Sequence, residues 1–239
     1  MSEPSKPPGQ KTTGKWDWFF KKHLKTAEEK GIDINESVED DWGATRQWLK
    51  RFILPFIPHA NPVICEIGPG SGRFSRHLID RARMYYFVDY SDYVCDLLEK
   101  LFGSRENARI IKSRNSDIGT VENDSVDFVF SMGTFVHLFI EQIYGYFKEF
   151  YRVLRDGGTC VIHFANFMDD GGYDYFIEKL PKENEYDTCS AFRFYHPEML
   201  EKMAAKIGFS ITAKKSIPGT RHCYLVLAKH PERCRDVSS

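Results

Sequence analysis

No apolar run in this 239-residue chain approaches the roughly 20 residues that a membrane-spanning helix requires. No two cysteines form a C-x-x-C pair. The six stand at Cys65, Cys95, Cys160, Cys189, Cys223 and Cys234, which argues against a zinc ribbon or a redox dithiol. Cys65 and Cys160 fall within apolar runs, where a thiol acts as a small buried hydrophobe, so a reducing, cytoplasmic setting is expected. Neither sign of charge is in excess: 33 Lys and Arg face 34 Asp and Glu. That balance speaks against a protein that holds nucleic acid through bulk charge. The local basic run at 21–25 reads as a solvated helix face. The opening residues are polar and carry Pro and Gly, so no secretory leader is expected. There is no internal repeat. With 42% apolar and 28% charged residues, the chain has the makeup of one globular domain.

Residues 1–14 read as a disordered tail and 231–239 as a second tail. Residues 15–58 read as a helical cap. Trp16, Phe19, Phe20 and Leu24 mark one helix, and a second is expected over 39–56, ending at the prolines. Over 59–230 short apolar strands alternate with amphipathic segments. "SGRFSRHLIDRA" is expected to be helical. So is "DYVCDLLEKLFG", with Val94, Leu97, Leu98 and Leu101 on one face. A further helix is expected at 140–154, with a stripe of Ile140, Ile143, Tyr144, Phe147, Tyr151 and Leu154. "DGG" reads as a turn before the strand "TCVIHFA", and 210–228 as an antiparallel hairpin. The predicted fold is α/β: a Rossmann-like, doubly wound, seven-stranded and mostly parallel sheet with an antiparallel C-terminal hairpin and an N-terminal helical extension.

The decisive stretch is "VICEIGPGSGRFS". In an open parallel sheet, ligands bind beyond the carboxyl ends of the strands, and the first strand-to-helix turn is the usual place. That turn is Glu66-Ile67-Gly68-Pro69-Gly70-Ser71-Gly72. A dinucleotide fingerprint would need a third glycine where Arg73 stands. The acidic Glu66, two positions before the first glycine, suits a cofactor with a cationic end rather than a pyrophosphate.

These residues resemble the first motif of the class I S-adenosylmethionine-dependent methyltransferases, an acid followed by Gly-x-Gly-x-Gly. The resemblance runs over about 63–163. It implies S-adenosyl-L-methionine as cofactor, held at Glu66, Gly68, Pro69, Gly70, Gly72 and Arg73. Asp89, 17 residues after Gly72 in "FVDYS", matches the acid that binds the ribose hydroxyls, with Tyr90 beside it. Asn115, Ser116 and Asp117 are candidates for the adenine contact. Ser131, Met132 and Gly133 match the lining of the methionine end. "RVLRDGG" matches a family turn, with Asp156 in place of its usual proline. The stretch "FSMGTFVHL" and the later "CVIHF" are also similar to a subgroup that methylates sugar hydroxyls in glycan gene sets. That subgroup carries a Trp-Gly pair ahead of the glycine loop, here Trp42 and Gly43 with Arg46, which would cap the cofactor.

Transfer to a hydroxyl requires loss of its proton, and a histidine suits that task. His137 follows the fourth strand and is the candidate general base. His163 lies mid-strand, either as core or facing the acceptor. The segment 166–196 is the candidate acceptor-binding element, through Tyr173, Arg193 and Tyr195, with His196 at its end. Asp169 and Asp170 alone do not make a metal site, and no metal is expected. The expected acceptor is a small molecule or glycan, not nucleic acid. No Asn/Asp-Pro-Pro-aromatic tetrapeptide follows the fourth strand; Ser131-Met132-Gly133-Thr134 stands there. The alternatives are methylation of a small-molecule or protein amine, a non-catalytic cofactor-binding protein, and a dehydrogenase, which Arg73 disfavours.

Overall fold

The computed structural model describes residues 13–42, 45–114, 116–180 and 191–230. The two tails expected at the ends fall largely outside these, as do Gly43, Asn115, Cys189 and Cys234. Three N-terminal helices, α1 (Thr13–Lys30), α2 (Ile34–Trp42) and α3 (Thr45–Trp48), run into a π-turn at Leu49–Ile53 and a 3-10 turn at Leu54–Phe56. The single helix expected over 39–56 is therefore divided and begins earlier. Its true start is Asp33, whose carboxylate accepts the Asn35 N–H at 2.8 Å and so satisfies one open donor of the first turn.

The sheet holds eight strands: β1 (Val63–Ile67), β2 (Met84–Asp89), β3 (Ala108–Lys112), β4 (Val126–Ser131), β5 (Leu154–Asn166), β6 (Phe194–Tyr195), β7 (Ser210–Ser216) and β8 (His222–Ala228). The order is β3-β2-β1-β4-β5-β8-β7, with the two-residue β6 paired to the end of β5. All pairings are parallel except those of β8 with β5 and with β7. This is the Rossmann-like, mostly parallel α/β architecture expected, with its antiparallel C-terminal hairpin and β6 as an eighth strand. The crossover helices are α4 (Asp92–Phe102) after β2 and α5 (Ile140–Val153) after β4. In the C-terminal part α6 (Asp170–Glu178) follows β5, and α7 (Pro197–Ile207) precedes β7.

Four local expectations are corrected. The segment after the glycine loop is not a regular helix but two 3-10 turns, Ser75–His77 and Ile79–Arg81, whose N–H groups reach back three residues. On α4 it is Phe102, not Leu101, that completes the buried face. On α5 the buried stripe is Ile143, Tyr146, Phe147, Phe150 and Val153, while Tyr144 faces outward under Lys148. "DGG" is a bulge inside β5 rather than a turn before it: Gly157 takes φ 78° and its N–H donates to the Lys229 carbonyl.

Strand alternation sorts the core into two layers. Val63, Cys65 and Ile67 face α5 and α7, whereas Ile64, Tyr85, Phe87, Phe128 and Phe130 face the N-terminal helices and α4. At the amino end of the sheet Asp127, 1% exposed, ties β4 to β1. Its carboxylate accepts the Val63 N–H at 2.7 Å and lies 2.8 Å from both His59 Nε2 and Arg155 Nε. Replacing Asp127 by Ala strands the Val63 amide without an acceptor. Urea unfolding should show a loss of about 2–4 kcal/mol, with the slope of the transition unchanged; a loss under about 0.5 kcal/mol contradicts this anchoring role.

Candidate functional site

Gly68, Gly70 and Gly72 all hold positive φ, at 69°, 57° and 77°, so the chain coils tightly at the carboxyl end of β1. The loop is crowded as well as tight. A methyl on Gly68 would stand 2.0 Å from Thr134 Oγ1, and one on Gly70 would stand 2.6 Å from Phe20 Cζ of α1. Pro69 closes the turn by accepting the Gly72 N–H at 3.0 Å. Ser71 donates to Asn35 Oδ1 at 2.8 Å, which fixes α2 to the loop. Downstream, Arg76 reaches Asp33 at 2.9 Å.

Glu66 shares the face of Ile64, and its side chain turns into the protein between sheet and loop. Ser75 Oγ and Tyr85 OH donate to its Oε2 at 2.5 and 2.6 Å. Burial holds its pKa near 7, against the pull of those two hydroxyls and of the Arg73 charge. The carboxylate expected to meet a cofactor's cationic end is thus engaged by internal donors. Arg73 packs over Phe74 at 4.6 Å, and burial lowers its pKa to about 10.

Asp89 ends β2, half-buried. It accepts backbone N–H groups from Ser91 (2.9 Å), Tyr90 and Gly70, bridging the second strand to the glycine loop. Burial, opposed by these donors and assisted by nearby Asp17, raises its pKa to about 6. Asp17 belongs to α1 and accepts from Ser91 Oγ at 2.5 Å, so α1 lies across this end of the site. Tyr90 is exposed. In the loop after β3, Ser116 turns inward at φ 65° and donates to the Gln142 carbonyl, while Asp117 is exposed and accepts the Gly119 N–H. Trp42 closes α2.

At the end of β4, Ser131 donates to the Ile67 carbonyl at 2.9 Å, and Met132 packs into the layer that holds α1. The Gly133 N–H donates to His163 Nδ1 at 3.2 Å. That bond requires the His163 proton on Nε2, which then donates to His222 Nδ1 at 2.8 Å. Desolvation keeps both rings neutral, with His222 lowered to about 4. His163, with both nitrogens bonded internally, positions Gly133. His137 Nδ1 lies 3.3 Å from the Ala191 carbonyl, an acceptor only, so this contact puts its proton on Nδ1. The ring sits between Trp16 (5.0 Å) and Phe192 (4.8 Å).

In the 166–196 segment, Asp169 caps α6 by accepting the Gly171 N–H, and His196 caps α7. Tyr195 is buried and donates to the Leu138 carbonyl at 2.5 Å. Tyr173 is exposed, edge-on to Phe167. Residues 181–190 lie outside the described residues. Sequence reasoning missed three participants, Phe20, Asp17 and His222. Only the amphipathic stripe of α1 hinted at the first.

The chemistry of these groups fits an adenosine cofactor with a diol. Positive-φ glycines coil the chain at the carboxyl end of β1, and the Asp89 carboxylate, an acceptor, stands at the end of β2. Residues 65–162 match the methyltransferase domain family. No curated protein matches the chain in sequence. In structure it resembles the protein solved in complex with the Haloferax volcanii Trm112 methyltransferase activator (TM-score 0.64, 15% identity, covering 90% of this chain and 98% of that one). A Methanococcus maripaludis protein described as an S-adenosyl-L-methionine-dependent methyltransferase aligns over 98% and 99% (TM-score 0.56, 18% identity). A Haemonchus contortus phosphoethanolamine N-methyltransferase solved with S-adenosylhomocysteine aligns over 79% of this chain and 53% of its own (TM-score 0.61, 16% identity). Among the described residues no helix is long and apolar enough to cross a membrane.

The buried Glu66 makes a pH-dependent prediction. Its folded pKa near 7 exceeds its ordinary value of 4.5, so the fold favours the neutral acid. That contribution is fully present below about 4.5 and is lost as pH rises through 7. Glu66→Gln abolishes the titration. The variant's stability relative to the wild type should therefore climb by up to about 3 kcal/mol from pH 4.5 to 8 in denaturant titrations. A difference independent of pH would mean that Glu66 is not held this way. Residues 65–162 thus match a methyltransferase domain, and the glycine loop and sheet order give the chain the α/β fold of the S-adenosyl-L-methionine-dependent methyltransferases it resembles.

Proposed function

We propose that this enzyme moves the methyl group of S-adenosyl-L-methionine to a hydroxyl of a small molecule, a sugar or glycan being the class to which the sequence resemblance points, with His137 as general base. The observation that carries the proposal is the placement of His137: its Nδ1 lies 3.3 Å from the Ala191 carbonyl, and its ring stands in the segment that follows β4. Its backbone N–H donates to the Thr134 carbonyl at 2.9 Å, and Thr134 covers Gly68, so base and glycine loop are held by one short segment.

When bound, the sulfonium cofactor supplies an electrophilic methyl group whose bonding pair leaves with sulfur. The chain's residues do the rest. Asp89 would accept from the ribose diol, with Gly68 to Gly72 beside the bound cofactor. Tyr90, Ser116 and Asp117 would border the adenine end, and Ser131, Met132 and Gly133 the methionine end. Holding acceptor and donor in line supplies most of the acceleration. His137 Nε2 takes the hydroxyl proton as the oxygen becomes nucleophilic. Phe192, Arg193 and Tyr173 belong to the acceptor side, where aromatic faces suit the apolar face of a sugar or another flat ring.

Transfer of radiolabelled methyl groups to pools of sugars, nucleotide sugars, phenols, carboxylates and amines tests the proposal. Hydroxyl-bearing acceptors should take up label, and His137→Gln should lower kcat by roughly 10²–10⁴ with cofactor affinity little changed. Label entering amines alone, or an unchanged rate in the variant, contradicts it.

A further inference from the structure

A cavity of about 460 Å³ opens beside His137, between the start of α5, the β5–α6 turn and the strand β6. Its walls are mostly aromatic: Phe139, Phe167, Phe176, Phe192 and Phe194 line it. One acid, Glu141, and one cation, Arg193, interrupt them. The Arg193 guanidinium carbon lies 3.5 Å from the centroid of the Phe139 ring, and Nε and Nη2 are buried with no hydrogen-bond partner among the described residues. A guanidinium keeps its charge at any ordinary pH, and its donors are arranged as a fork that matches a carboxylate or phosphate. Buried N–H groups without acceptors are costly, and native proteins keep few of them without a purpose.

The backbone registers this cation against the candidate base. The Ala191 carbonyl accepts from His137 Nδ1. The Arg193 N–H donates to the Val136 carbonyl at 2.7 Å, and Tyr195 OH donates to the Leu138 carbonyl. Residues 191–195 are thus laced along 136–138. Phe192 lines the cavity and also packs on His137, so the cavity begins where the base stands. The same ring is backed by Arg221, whose guanidinium lies 3.9 Å from Tyr175 and 4.9 Å from Phe192, which stiffens that wall.

We infer that this cavity is the acceptor site, and that the acceptor presents an anionic oxygen group, carboxylate or phosphate, to Arg193 while an apolar or flat portion rests on the aromatic walls. The inference rests on the reading of the His137 side as the acceptor side. It names the acceptor's charge, which that reading leaves open.

Calorimetry on the full chain saturated with S-adenosylhomocysteine tests it, with benzoate, phenyl phosphate and neutral benzyl alcohol as probes. At least one anion should bind the wild-type protein about tenfold or more tightly than benzyl alcohol, and whether benzoate or phenyl phosphate binds better separates a carboxylate from a phosphate acceptor. Arg193→Gln should remove that preference and Arg193→Lys should restore part of it, with S-adenosylhomocysteine affinity unchanged in both as a check on folding. Equal binding of anions and benzyl alcohol by the wild-type protein overturns the inference, as does an anion preference that survives in Arg193→Gln. Anion binding governed by Arg193 in a protein that transfers no methyl group would leave this site standing and remove the hydroxyl-transfer reading. Transfer to neutral acceptors at a kcat/KM that Arg193→Gln does not alter would do the reverse.

Discussion

The site hangs on one buried carboxylate. Glu66 stands one residue before the end of the first strand, on a buried face of the sheet, and Ser75 and Tyr85 both donate to the same oxygen. These bonds join β1, β2 and the turn that follows the glycine loop. Because desolvation and hydrogen bonding oppose each other there, the group is poised near neutrality rather than fixed as an anion. The loop it anchors is further clamped by Asn35 through Ser71, by Phe20 over Gly70 and by Thr134 over Gly68. Glycine loop, N-terminal helices and the segment bearing His137 therefore form one mechanical unit.

Much of this was legible in the sequence. The order of strands and crossovers followed from apolar runs alternating with amphipathic segments, and the three glycines stood where positive φ is required. Asp89 closes the apolar run MYYFVD, which marks its strand end, and the family resemblance matches it to the acid that binds the ribose hydroxyls. What escaped had physical causes. A strand's alternation sends Glu66 sideways, which a motif written in one dimension does not express. The 3-10 turns after the loop have the same apolar spacing as a helix, through Phe74, Leu78 and Ile79, so periodicity could not separate them. Tyr144 and Leu101 border their helical stripes, where a shift of one position moves a residue from core to solvent.

Long-range contacts were the other blind spot. Nothing local in "KWDWFFKKHL" says that Asp17 will face Ser91 or that Trp16 will pack on His137. Likewise the two histidines of the Gly133–His163–His222 chain lie 59 positions apart and meet only because β8 runs antiparallel beside β5. Several residues picked as binding groups turned out to spend their polar atoms internally: Ser116 on a carbonyl of α5, Ser131 on β1 and Tyr195 on the segment after His137. Their side chains shape the site by fixing backbone. Arg193, by contrast, keeps buried donors without a partner among the described residues.

The account centres on a cofactor held between the glycine loop and Asp89. Calorimetric titration of the full chain with S-adenosylhomocysteine, repeated with Asp89→Asn and with NAD as the competing ligand, tests that claim most directly. The account predicts one site per chain for S-adenosylhomocysteine and none for NAD. Affinity should fall about 10- to 100-fold in the variant, the loss of charge-assisted hydrogen bonds to a diol. Tight binding of NAD, or an Asp89→Asn variant that binds S-adenosylhomocysteine as the wild type does, would contradict it.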